Sequence, residues 1–186
     1  MRSALIALLL LVGVQLAWAR PARIILLRHA EKPANESNVH LSRRGEERAR
    51  ALVTFLTTNP ALTTNGLPAA LFAPKITSRG HSRRAYETLE PLAKHLKLLV
   101  QTPYAADNYA ALARQVLHDS EYDGKSIVIC WVHDFLPELA EALGVRSGPD
   151  NWKKSVFDRV WVVSYREHRV SLASLPQNLL PGDSPR

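Results

Sequence analysis

The chain is poor in the residues that staple or coordinate. It has one cysteine, Cys130, one methionine and 8 glycines in 186 residues. A single thiol forms no internal disulfide and builds no cysteine-rich zinc site. No His-Glu-x-x-His or comparable ligand spacing occurs, so no metal and no cofactor is expected. Aromatic residues are 7% of the chain and are not interleaved with basic clusters. The net charge of +7 is therefore no argument for nucleic-acid binding. There is no internal repeat, no low-complexity tract and no linker able to separate two domains. No apolar run reaches the roughly 20 residues of a membrane span.

The longest apolar run is N-terminal. In residues 1–19, MRSALIALLLLVGVQLAWA, Arg2 is the only charge. Gly13 and Gln15 alone interrupt Ala4 to Leu16, and Ala17-Trp18-Ala19 closes the segment. A basic start, a short apolar middle and an A-x-A end predict a secretory signal peptide over 1–19. The expected location is periplasmic or secreted. No cysteine follows the run, so no lipid anchor and no stable membrane anchor is expected after cleavage. The remaining 167 residues, 20–186, are predicted to form one domain with a charge of +6, since only Arg2 is lost.

Within that domain short apolar runs alternate with helical patterns. Arg23–Arg28 reads as a strand buried on both faces. Lys32–His40 reads as a loop, and Ser42 offers an N-cap to a helix over Arg43–Leu56. Asn59-Pro60 should end that helix, with a polar loop through Asn65-Gly66. Ala69–Ala73 is a second apolar run. A helix is expected from Ser82 to Leu96, kinked or divided at Pro91. Leu98–Gln101 is a third short strand. Asp107 is placed to cap a helix over Asn108–His118.

Ser126–Val132 is the clearest central strand, with Cys130 read as a buried, inert thiol. Asp134–Leu143 follows as a helix with Gly144 at its end. Arg159–Tyr165 and Arg169–Leu175 form a hairpin around Arg166-Glu167-His168. Trp161, Val163 and Tyr165 share a face suited to core packing, and Gln177 to Arg186 reads as a surface tail. Asn151-Trp152 and Phe157-Asp158 are candidates for a pocket mouth. The order predicts an α/β three-layer sandwich with a mostly parallel central sheet.

In open α/β sheets ligands bind beyond the carboxyl ends of the strands. Arg28-His29 closes the first strand here, His133-Asp134 closes the fourth, and Arg83-Arg84 opens a helix after the second. Cations are disfavoured at a helix N-terminus, so arginines there point to a bound anion. Two imidazoles, two or more guanidiniums and nearby carboxyls suit phosphoryl transfer. A neutral imidazole attacks phosphorus, guanidiniums hold the equatorial oxygens, and an acid protonates the leaving group.

At these residues the chain resembles the histidine phosphatase superfamily, with its phosphoglycerate mutase-like fold. The resemblance rests on Leu27-Arg28-His29-Ala30, Leu41-Ser42-Arg43-Arg44-Gly45, Arg84-Ala85-Tyr86-Glu87-Thr88, and His133 after an apolar strand. It covers about Ile24 to Val163. It implies that His29 is the phosphorylated nucleophile, that Arg28 and Arg84 clamp the phosphate, and that His133 bonds a phosphoryl oxygen. Arg83 stands in for Arg84 if the helix register differs by one. Only 49 positions separate Arg84 from His133, which leaves no room for a large cap insertion. The chain is thus similar to the compact branch, including bacterial phosphohistidine phosphatases. Position 80, often serine in the family, is Gly80.

Three carboxyls compete for the role of general acid: Asp134 first, Asp107 second and Glu31 third, Glu31 also counting as a substrate contact. The expected partner is a phosphorylated small molecule or phosphoprotein. The rival expectation is a phosphate-binding or interaction protein that retains the fold without turnover.

Overall fold

The continuous apolar runs become neighbouring strands of one sheet in the structure, a computed structural model that describes residues 20–35, 37–166 and 169–184. The strands are β1 (Arg23–Arg28), β2 (Pro68–Phe72), β3 (Val100–Gln101), β4 (Ser126–Trp131), β5 (Arg159–Arg166) and β6 (Arg169–Pro176). Their order is β3-β2-β4-β1-β5-β6. β1, β2, β3 and β4 run parallel, β5 is antiparallel to β1, and β6 is antiparallel to β5. Every residue of β1 and β4 is buried. Helices cover both faces of the sheet, and two-sided burial is what a run without polar alternation requires.

The pleat sends alternate residues to opposite layers. Ile24, Leu26, Ile127, Ile129 and Trp131 enter one core with Leu112, Val116, Leu136 and Leu139. Those last four belong to α4 (Tyr109–His118) and α5 (Leu136–Ala142). Ile25, Leu27, Val128 and Cys130 enter the other core with Leu52, Leu56, Leu89 and Leu92. These belong to α1 (Arg43–Thr58) and α3 (Arg83–Leu96). Each fully buried aliphatic side chain contributes about 1.5–3 kcal/mol. The expected three-layer sandwich is the one observed.

Several expectations shift locally. Asn59 ends α1 but also caps a one-turn helix, α2 (Pro60–Thr63), accepting from the amide of Ala61. A proline favoured at N1 explains why the chain turns again where a loop was expected. α3 runs through Pro91 without division. Leu89, Leu92 and Ala93 around it are buried, so packing holds the helix despite the missing amide. The third strand shrinks to two residues. α4 is preceded by Asn108 without a side-chain cap, so Asp107 does not cap it. Before α5 the chain makes a 3-10 turn over His133–Phe135.

Trp152 is buried against Trp161, ring centroids 4.7 Å apart, and belongs to the core rather than to a pocket mouth. Trp161 and Val163 are buried as expected, and Tyr165 donates from its hydroxyl to the carbonyl of Leu143. No helix among the described residues is long and apolar enough to cross a membrane. The expected signal segment 1–19, the hairpin residues Glu167-His168, and Pro185 and Arg186 lie outside the described residues.

Candidate active site

The parallel register places Arg28 beside Trp131, so His29 and His133 leave adjacent strand ends. His29 is 9% exposed. Its Nδ1 lies 2.8 Å from the carbonyl oxygen of Ala30, which can only accept, so Nδ1 carries the proton. Nε2 is left with the lone pair. The His29 pKa is lowered to about 4: burial dominates, the Ala30 carbonyl opposes it, and Arg28, Arg84 and His133 add to it. The charges of all three predicted partners thus bear on this one ring.

Arg28 is buried and its guanidinium sits 4.0 Å from the centre of the Phe157 ring. It donates to the carbonyl of Lys154 from Nη1, while its buried Nε has no partner. Burial lowers its pKa to about 10, with Asp134 opposing and Arg84 assisting. Phe157 therefore does stand at the site, its ring 6.0 Å from that of His29. His133 is mostly buried, and neither ring nitrogen has a hydrogen-bond partner. Asp134 Oδ1 lies 3.2 Å from its Nε2, but out of line for a hydrogen bond. Burial lowers the His133 pKa, and Arg28 lowers it further.

Arg84 occupies the first turn of α3, where no acidic residue stands. It donates from Nε to the carbonyl of His40 at 3.1 Å and from Nη2 to that of Asn38. Glu87, one turn along, secures the same loop by pairing with His40 and accepting the amide of Leu41. Thr88 accepts the amide of Ala30 at 2.9 Å and donates to the carbonyl of Arg84 at 2.7 Å. The Arg-Ala-x-x-Thr pattern is thus a tie between the arginine helix and the histidine strand.

A cavity of about 640 Å³ opens at His29. Arg84, Asp107, Lys75, His81 and Phe135 are on its wall, whereas Arg83, Arg28, His133 and Asp134 are not. Arg84 is therefore the arginine that the helix turns toward the histidine, and Arg83 is not. Asp107 is exposed on the wall, on a loop whose Ala106 carbonyl accepts from Trp131 Nε1 at 2.9 Å. Gly80 also lines the cavity, with φ +77°. A Cβ there would meet the Val39 side chain at 3.0 Å, and the positive φ strains any residue with a side chain, so the serine expected at this position would be disfavoured.

Glu31 is not available to a substrate. Its carboxylate receives Arg48 Nη2 at 2.7 Å and Nε at 3.0 Å, and Arg44 Nε at 3.1 Å. Arg48 is 2% exposed and was not among the expected site residues. It also donates to Asp183 and Gln177, so the expected surface tail is bound to the body. Its pKa is raised, because bonds to Asp183 and Glu31 outweigh the burial that would lower it. A Leu-Ser-x-x-Gly-x-x-Arg run with Arg on the buried face of a helix was the only signal available. Among the described residues no group of three or more His, Cys, Asp and Glu is placed to hold a metal ion.

The arrangement is that of a phosphoglycerate mutase-like fold with the site at its carboxyl edge. No family model matches the chain, and no curated protein sequence matches it. Among solved structures the chain is similar to a mycobacterial glucosyl-3-phosphoglycerate phosphatase in complex with inorganic phosphate. The TM-score is 0.51 at 16% identity, over 84% of this chain and 97% of that one. At that identity the likeness shows the fold, which this chain shares with that phosphatase.

Proposed function

We propose that the protein is a phosphatase that hydrolyses a phosphomonoester or phosphoramidate through a phosphohistidine on His29. The observation that carries this reading is electrostatic. A neutral imidazole with a free Nε2 lies within electrostatic reach of buried polar groups, Arg28 Nε and the His133 ring, that make no hydrogen bond within the protein. Unmade bonds of this kind are costly, and phosphoryl oxygens would accept from Arg28 Nε and from the one N–H of a neutral His133 ring. Nε2 attacks phosphorus while the bond to the leaving oxygen or nitrogen breaks. Arg28, Arg84 and His133 stabilise the charge on the equatorial oxygens. Water then cleaves the phosphorus–nitrogen bond, releasing phosphate and restoring neutral His29.

The leaving group occupies the cavity, whose wall carries Asp107. Asp107 is therefore the better-placed proton donor, ahead of Asp134, which stands beside His133 outside that wall. Asp134 offsets the burial of Arg28. His29→Ala should reduce hydrolysis of an aryl phosphate by the purified protein to background while leaving the circular dichroism spectrum unchanged. Undiminished turnover would exclude this mechanism. Inorganic phosphate binding without turnover, across a panel of phosphoesters and phosphoramidates, would instead identify a phosphate-binding protein.

We further propose that residues 1–19 direct export and are removed. The N-terminal sequence of the protein recovered outside the cytoplasm should begin at Arg20. Recovery of Met1 on that protein would rule out cleavage.

A further inference from the structure

We propose that Arg48, gripped by Glu31 and Asp183, is a positioning residue for His29, and that the C-terminal segment 177–184 is thereby part of the catalytic apparatus. The inference rests on the reading of His29 as the nucleophile. It starts from the peptide group between Ala30 and Glu31. That group is planar, so its oxygen and the Glu31 nitrogen move together. The oxygen is the acceptor that sets the tautomer of His29. Whatever fixes Glu31 therefore fixes which nitrogen of His29 keeps its lone pair.

Glu31 is fixed at both ends. Its carbonyl accepts the amide of Ser42 at 2.9 Å and the Ser42 hydroxyl at 3.1 Å. Its carboxylate is held by Arg48, as described. Arg48 has a planar fork, and the far side of that fork is occupied by the C-terminal segment. Nη1 donates to Asp183 Oδ2 and to Gln177 Oε1, both at 2.9 Å, and Nη2 to Asp183 Oδ1 at 2.7 Å. Asp183 is itself tied, accepting the amides of Leu179 and Leu180 and a bond from Arg44. A guanidinium so buried keeps one geometry only while both carboxylates are present. The tail thus reaches His29 through three side chains, with Asp183 lying 154 positions away along the chain.

The test uses Asp183→Asn, which keeps the shape, Asp183→Ala, and Arg48→Lys, which keeps the charge but loses the fork. With an aryl phosphate each should lower kcat by roughly 10–100-fold, the scale expected for a misplaced reacting group. KM should change little, because Arg28 and Arg84 are untouched. In protein labelled with ¹⁵N-histidine, the His29 ring shifts should move from the Nδ1-protonated tautomer toward a mixture. A lowered Tm with kcat and the His29 shifts at wild-type values would overturn the proposal and leave the cluster purely structural. If the wild-type protein shows no turnover, the phosphatase reading fails, while the ring shifts still decide the positioning role. Asp183→Asn guards against a variant that does not fold.

Discussion

At the scale of single residues, the proposed mechanism makes activity depend on the charge state of His29. Burial and three neighbouring cationic or ionisable groups disfavour the imidazolium, and only the Ala30 carbonyl favours it. An ordinary histidine loses its nucleophilic form below about pH 6.5. This one stays neutral down to about 4. The acid limb of kcat/KM, corrected for substrate ionisation, is expected near pH 4. A limb between 6 and 7 would show that His29 is not the titrating group. The stability sign follows from the same shift. Between about pH 4 and 6.5 the unfolded chain binds the extra proton, so His29 costs no stability above 6.5 and progressively more as pH falls toward 4. The Arg-His pair itself was legible in the sequence, because it closes an unbroken apolar run. The tautomer was not, since it depends on where a carbonyl of the next residue points.

At the scale of elements, the close approach of α1 to the end of β1 depends on Gly45. A Cβ at that position would lie 2.4 Å from the carbonyl oxygen of Glu31 and 3.0 Å from its nitrogen. Alanine is normally the better helix residue by about 1 kcal/mol. Here the backbone it would strike cannot yield as a flexible side chain can. Gly45→Ala is therefore expected to destabilise by about 1–3 kcal/mol in urea denaturation, the range for overpacked sites. A gain in stability would mean that the helix and strand end are less tightly apposed. The motif containing Gly45 could be read as a helix start, and Ser42 does cap it, accepting from Gly45. What it could not reveal is that the glycine lies against backbone two residues beyond His29.

At the scale of the whole molecule, the Glu31–Arg48–Asp183 cluster joins the loop after β1, the first helix and the C-terminal segment. Burial alone would raise the pKa of Asp183, but Arg48 and the amides of Leu180 and Leu179 lower it to about 2. Its folded value lies below the usual unfolded value of about 3.9. The stability it contributes is thus present above the unfolded value and is lost progressively as pH falls through it toward 2. The urea midpoint should fall more steeply between pH 5 and 2.5 in the wild-type protein than in Asp183→Asn. Parallel slopes would show that Asp183 does not supply this term.

Sequence patterning by itself determined the layers and their contents. Unbroken apolar runs demand strands covered on both faces, and helical stripes supply the covers, so the three-layer sheet and the two histidine-bearing strand ends follow from local chemistry. Tertiary structure alone decided which polar groups face one another. It placed Asp107 on the cavity wall, turned Arg84 rather than Arg83 toward His29, and withdrew Glu31 into a bond with Arg48. It also bound a tail that reads as solvent-exposed to a buried guanidinium. Such pairings join residues far apart in the chain, and a charge shows no periodicity that would announce its partner. Burial, which makes an unpaired charge costly, is the physical reason they form.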